Sequence, residues 1–449
     1  MKIVRLITVI TSFIVFGCKP NHEPQSLHSL IKQLPSYSGK DEYLNSPYVT
    51  AGDRLYSVGH QDGSFPDLGW HISGEMGGIW NHPIKLMDGF QLAVGTEELV
   101  CLTSANEFIN YPVANQHLYN DLEDISVSRM QFVPDGEQGM IVEYSISNTS
   151  AQQLLLDLAF TGYFDLRPVW LAEKKSIVDG ADSFAQEDEY IIARDNDNEW
   201  YSIISSSLPI KALNSYSPCG MERMGKGVTT VLHHELELAA NESATIQYYI
   251  SGSYTNQEDA MATNQLLRSD AQSLLQKKIE RLNKLKNVNR LISSDESVND
   301  MFEWIKYNND WLMRDVPEVG RGISAGIPDY PWWFGTDAGY AIEGLLAQGQ
   351  WDEALATIDI IIKLSEQANG DTGKIMHEAS TNGVVFNPGN LNTTPRFIQT
   401  LWMAYSWTGK QDLLEEYYPL VKKGIDWIES QDKDGNGYAD GPGMMEIHG

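Results

Sequence analysis

Basic residues are scarce in this chain. Its 449 residues hold 32 Lys and Arg against 61 Asp and Glu, a formal net charge of -29. Phosphate recognition needs clustered cations, so this balance excludes nucleic acid as a natural partner. A neutral ligand such as a sugar is compatible with it, and so is a cation. Cysteine is scarcer still. Only Cys18, Cys101 and Cys219 are present, with no Cys-x-x-Cys or Cys/His spacing that would suggest zinc. The apolar run over residues 6–16 is too short to span a bilayer. What the chain does have is apolar bulk. Hydrophobic residues make up 42% and there are 12 Trp, enough for large cores in the two or three domains expected at this length.

Lys2 and Arg5 ahead of that apolar run read as a secretory leader, ending in Val15-Phe16-Gly17-Cys18. This resembles a bacterial lipobox, with cleavage before Cys18 and a lipid attached there. The expectation is an exported lipoprotein, anchored to a membrane through Cys18 on the periplasmic or cell-surface side. Residues 18–45 then read as a lipidated tether. Cys101 and Cys219 could form one disulfide in an oxidising compartment. Two buried thiols would fit as well.

Residues 46–255 carry strand signals. The runs 139–148, 153–160, 228–238 and 244–251 are rich in Val, Ile, Tyr and Thr and flank short polar turns, as in antiparallel sandwiches. The period changes at Asn256. Residues 256–292 read as a linker helix, with Ser293-x-x-Glu296 as a capping box for the next one. Residues 293–449 then carry helical spacing in five segments. Long connections fall at 316–336, 370–393 and 431–449, and the connections between them are very short. Antiparallel neighbouring helices place alternate loops on opposite ends, so the three long loops share one face. Long loops in compact domains are usually functional.

Each long loop holds candidate residues. The first has Pro331-Trp332-Trp333-Phe334-Gly335-Thr336-Asp337, aromatic rings followed by a carboxylate at a helix start. It reads either as a sugar platform or as core aromatics with Asp337 as N-cap. The second has His377-Glu378 as a polar pair, and Arg396 just beyond. In the third, Asp432, Asp434 and Asn436 match the first half of a calcium loop, but Gly443 stands where such a loop needs a glutamate. A solvated turn reads equally well, so no cofactor is required and calcium is the one to consider. Glu446 lies between Met445 and Ile447, an apolar setting that raises a carboxyl pKa and suits a general acid. Asp440 is its rival. In the sandwich half, the run from Asp53 to Trp80, with Trp70, His71 and Glu75, is dense in Gly and aromatics and could complete a pocket from across the domain interface.

This order, β-sandwich, linker helix, then helical hairpins with Trp-Trp-Phe-Gly-Thr-Asp before the second, resembles bacterial glycogen-debranching-like and glucoamylase-like glycoside hydrolases. The resemblance implies an N-terminal antiparallel β-supersandwich followed by an (α/α)6 barrel, here incomplete at about five helices. It implies an exo-acting, inverting hydrolase of α-linked glucan or a related oligosaccharide. Glu446 would be the general acid, with Asp337, Trp332, Trp333, His377 and Arg396 binding the sugar. The general base would lie beyond Gly449, which leads to the expectation of a C-terminally truncated chain, and Glu378 is the weak candidate within it. The alternatives are a noncatalytic glycan-binding lipoprotein and an inactive barrel fragment.

Overall fold

The computed structural model describes residues 26–69, 72, 76–221, 225–441 and 443. The segment read as a leader, Cys18, Trp70, His71, Glu75 and Glu446 lie outside the described residues.

Strands from Tyr37–Ser38 to Ser243–Ser253 form two antiparallel sheets, of nine and eight strands. Gly139–Asn148 pairs with Ile125–Phe132 and Ser243–Ser253 in the first. Leu154–Pro168 pairs with Ile84–Gly95 and Val228–Leu238 in the second. The strands on either side of the turns at 149–153 and 239–242 therefore lie in opposite sheets. Each short polar turn is an arch between layers rather than a hairpin, and the two arches stack. Period-2 alternation explains the choice. Met140, Val142, Tyr144 and Ile146 point inward from one sheet, and Leu156, Leu158 and Phe160 meet them from the other in one shared core. Cys101 and Cys219, 118 residues apart, form a disulfide beside Ala93, Ala159 and Val231.

The tether reading of residues 18–45 fails from Leu27 onward. The short helix α1 (His28–Ile31) buries Leu27 and Ile31 completely, in a cluster with Met130, Phe132, Ile141 and Tyr249 of the nine-stranded sheet. The Glu143 carboxylate accepts hydrogen bonds from the Leu27 amide and the Ser26 hydroxyl, at 2.8 and 2.9 Å. This outer sheet face is apolar and must be covered. Most of the cover comes from α2 (Gln257–Asn287), whose Leu267, Leu274, Leu275 and Ile279 join the same cluster. Asn256 caps α2 by accepting from the Asp259 amide.

The helical region follows with α3 (Glu296–Trp311), α4 (Gly335–Gln348), α5 (Trp351–Asn369), α6 (Thr393–Thr408) and α7 (Gln411–Glu429). The expected Ser293 cap gives way to Asp295, whose carboxylate takes the Ser297 amide at 3.0 Å, while the Ser293 hydroxyl bonds the Asp295 carbonyl. One apolar core runs through Ile342 and Leu345 of α4, Ile358 and Ile361 of α5, Phe397 and Leu401 of α6, and Tyr417 of α7.

Charge braces α2 and α3 to the sandwich. The buried Lys278 ammonium donates to the carbonyls of Ala51 and Val133 and pairs with Asp135 at 3.0 Å. Arg281 bridges Asp135 and Asp310, each at 2.6 Å. Burial alone would raise the Asp135 carboxyl. Lys278 and Arg281 outweigh it and hold it at about 2. Arg314 lies 5.0 Å over the Tyr56 ring and donates to the Gly52 carbonyl, and burial pushes it down to about 10.

Candidate active site

The first two long loops are joined by a small three-stranded sheet. Trp333–Phe334 pairs with Glu378–Ala379, which pairs with Val385–Asn387. Two glycines permit the approach. The Gly335 amide donates to the His377 carbonyl at 2.7 Å, and a Cβ on Gly335 would stand 2.1 Å from the Met376 carbonyl oxygen. Gly389 has φ +122° and would place a Cβ 2.0 Å from the Ile375 carbonyl oxygen, so a side chain is excluded on both counts. Helix side chains fix the second loop from below. The Ser365 hydroxyl accepts the Met376 amide at 2.9 Å and the Thr394 hydroxyl accepts the Ile375 amide at 3.0 Å. The third loop adjoins them, with Gly441 against Leu391 and the Lys374 ammonium 5.7 Å over the Trp427 ring of α7.

An open cleft of about 270 Å³ lies at the start of α4, lined by Asn309, Ile323, Ser324, Phe334, Asp337 and Tyr340 among others. Asp337 is exposed there in the first turn, and Tyr340 is 63% exposed. Phe334 is the N-cap position and no side chain caps α4, so Asp337 is not the helix N-cap. A carboxylate beside an exposed aromatic ring, here Tyr340, in a concave site can take hydroxyl pairs of a neutral ligand.

Other expected site residues are placed elsewhere. Trp332 is 1% exposed and Trp333 0%, so neither ring offers a face for stacking. Trp333 donates to the Gly322 carbonyl inside the helical core, and Trp332 packs on Trp170 of the sandwich. Arg396 is committed within the protein: its guanidinium pairs with Glu343 at 2.5 Å, donates to the Gly339 carbonyl and lies 3.9 Å from the Tyr340 ring centre. It ties α6 to α4 and is unavailable to a substrate. His377 is 7% and Glu378 3% exposed, in the middle of the loop sheet. The His377 ring meets Phe334 edge-on at 5.7 Å. Neither lines the cleft, and a base that activates water needs to reach it, so Glu378 does not occupy the position of a base there. Asp440 shapes its own loop by accepting the Lys433 amide at 3.1 Å. The oxygens of Asp432, Asp434 and Asp440 lie within 4.8 Å of one another, but Asp432 already takes the amides of Asn436 and Gly437.

The sandwich contributes residues that the sequence reading missed. His82 is buried between Tyr56, at 3.0 Å from Nε2, and the Thr381 hydroxyl, at 2.8 Å from Nδ1. Burial, with Arg314 nearby, drives its pKa well below the usual imidazole range. The neutral ring has one donor and one acceptor nitrogen, which matches two hydroxyl partners. Trp170 sits 4.8 Å from both Trp332 and Phe386 of the second loop. A tertiary contact across 200 residues leaves no periodic trace in a sequence.

No family model matches the chain, and no curated protein matches it significantly. Solved structures do. A structure assigned as a kojibiose phosphorylase from the human microbiome superposes with a TM-score of 0.59 at 11% identity, over 89% of this chain and 60% of that one. A bacterial glucoamylase complexed with acarbose gives 0.56 at 13% identity, over 88% and 58%. The likeness shows a shared fold, a large antiparallel β-sandwich followed by a helical region. The chain spans about three-fifths of the length of each of these structures.

Proposed function

We propose that the protein is a carbohydrate-active enzyme that cleaves α-linked glucosides, acting on chain ends with inversion. The observation that carries this reading is the exposed Asp337 in a cleft at the loop face, on a fold shared with a glucoamylase that holds acarbose. The helices α3 to α7 are then the opening segment of an (α/α)6 barrel, the sandwich with its α1 cover is the domain that ends near residue 255, and α2 is the linker. Asp337 binds the terminal sugar. Glu446 is the general acid, protonating the glycosidic oxygen, and a second carboxylate activates water on the opposite face. The leader and Cys18 make the protein an exported, membrane-anchored lipoprotein. The Cys101–Cys219 disulfide supports an oxidising compartment.

The test is release of glucose from α-glucosides by the protein, with product anomer followed by NMR. Glu446→Gln should lower kcat by about 10³-fold while sugar binding persists. Unchanged turnover would sink the assignment of the acid, and sugar binding without turnover in the unaltered protein would favour a glycan-binding role. The shared fold with a phosphorylase favours a second reading, phosphorolysis of the same bond. Cleavage that requires added phosphate selects it.

A further inference from the structure

A row of aromatic rings in contact runs from the cleft, past Trp170 of the sandwich, to Phe386 of the second loop. Phe334 lines the cleft with Asp337. Tyr330 stands 5.7 Å from Phe334 and 6.4 Å from Trp332, centre to centre. Trp332 stands 4.8 Å from Trp170, which stands 4.8 Å from Phe386. The row begins buried and ends open: Trp332 is 1% exposed, Tyr330 and Trp170 are half-buried, and Phe386 is 50% exposed. A lone exposed aromatic needs no explanation. This one packs on the Trp170 ring at a 50° tilt, and its neighbours Val385 and Asn387 pair with Ala379 and Glu378. These contacts restrict the ring, so less conformational entropy is lost when a flat apolar surface settles on it.

We infer that Trp170 and Phe386 form a stacking platform for a distal sugar ring of an extended neutral oligosaccharide whose end unit lies at the Asp337 cleft. The inference rests on the proposed glucosidase reading and deepens it, since it makes chain length a determinant of affinity. The platform is built from both halves of the molecule: Trp170 follows the sandwich strand Leu154–Pro168, and Phe386 lies in the loop strand Val385–Asn387. Neither half alone would present it.

The probes are maltose and maltoheptaose, with affinity measured by calorimetry at low temperature and short times. The unaltered protein should prefer maltoheptaose. Phe386→Ala should weaken maltoheptaose about tenfold and maltose less than twofold, the loss expected from one ring contact. Trp170→Phe, which keeps a ring behind Phe386, should fall between. A merely structural role would lower both affinities together, and thermal unfolding of each variant checks for it. An unaltered preference for the longer chain in Phe386→Ala overturns the platform and leaves the proposed function standing. Failure of the unaltered protein to bind either probe overturns the platform, and the proposed function falls with it only if no α-glucoside releases glucose.

Discussion

Two seams join the sandwich to the helical region, and they are made of opposite materials. At the seam with α2 and α3, Lys278, Arg281, Asp135 and Asp310 interlock, with Arg314 buried over Tyr56. At the seam with the loop face, the buried contacts are neutral, His82 with Thr381 and Trp170 with Trp332 and Phe386, and charge enters at its exposed margin, where the Lys175 ammonium donates to the Asn382 carbonyl. Buried charges tolerate only the partners they have, because an uncompensated charge in a dry site is costly. Such a seam is a permanent brace. Aromatic and hydroxyl surfaces tolerate a change of partner, including a ligand. The first seam fixes the relative position of the two halves, and the second can use that fixed position to recognise something.

The comparison breaks first at Asp135. Asp135→Ala leaves the buried Lys278 ammonium without its carboxylate and should destabilise the protein by about 3 kcal/mol in urea unfolding. A loss under about 1 kcal/mol would mean that the backbone carbonyls of Ala51 and Val133 suffice, and the brace would be weaker than drawn.

The seams also separate by pH. The His82 pKa is lowered on folding, so its stabilisation is present above the unfolded value of about 6.5 and is lost as pH falls below it. Asp135 is also lowered, to about 2, so its stabilisation is complete above about pH 4 and is lost between there and about 2. Both limbs fall on acidification, in different windows, each with a slope of up to about 1.4 kcal/mol per pH unit. Stability measured against pH should fall less steeply along the upper limb in His82→Gln, where the buried His117 still contributes, and less steeply along the lower one in Asp135→Asn. Flattening of the same limb in both variants would contradict the assignment.

Thr381→Val removes one hydrogen bond from the neutral seam and leaves His82 Nδ1 unsatisfied, an expected cost of about 1 kcal/mol in unfolding experiments. Lys423→Ala tests the outside of the loop face. The ammonium pairs with Asp371, but both groups are exposed, and the change should stay within about 0.5 kcal/mol.

The helices were legible because their signal is local. The five helical segments within residues 293–449 could be read off their spacing, since a 3.6-residue period repeats within each segment. The shared end of the long loops followed from connection lengths alone. The burial of Trp332 and Trp333 was not legible. An aromatic beside a carboxylate looks the same whether its ring faces a sugar or a core, and only the pairing of Trp333 with Ala379 decides which. Arg396 misled for the same reason: its partner Glu343 is far away in sequence and one helix away in space.

Local pattern was enough to set the change from period-2 to helical patterning near Asn256, the acidic balance that disfavours nucleic acid, and the placement of Asp337 at a helix start. Those properties depend on neighbours within a few residues. Long-range packing settled that the strands flanking the turns at 149–153 and 239–242 arch into opposite sheets, that Leu27 anchors what looked like a tether, and that Cys101 meets Cys219. It also decided that Trp170 and Phe386 meet at the rim. Each of these requires bringing distant segments together, and the reward for doing so is burial of apolar surface, which is non-directional and carries no address in the sequence.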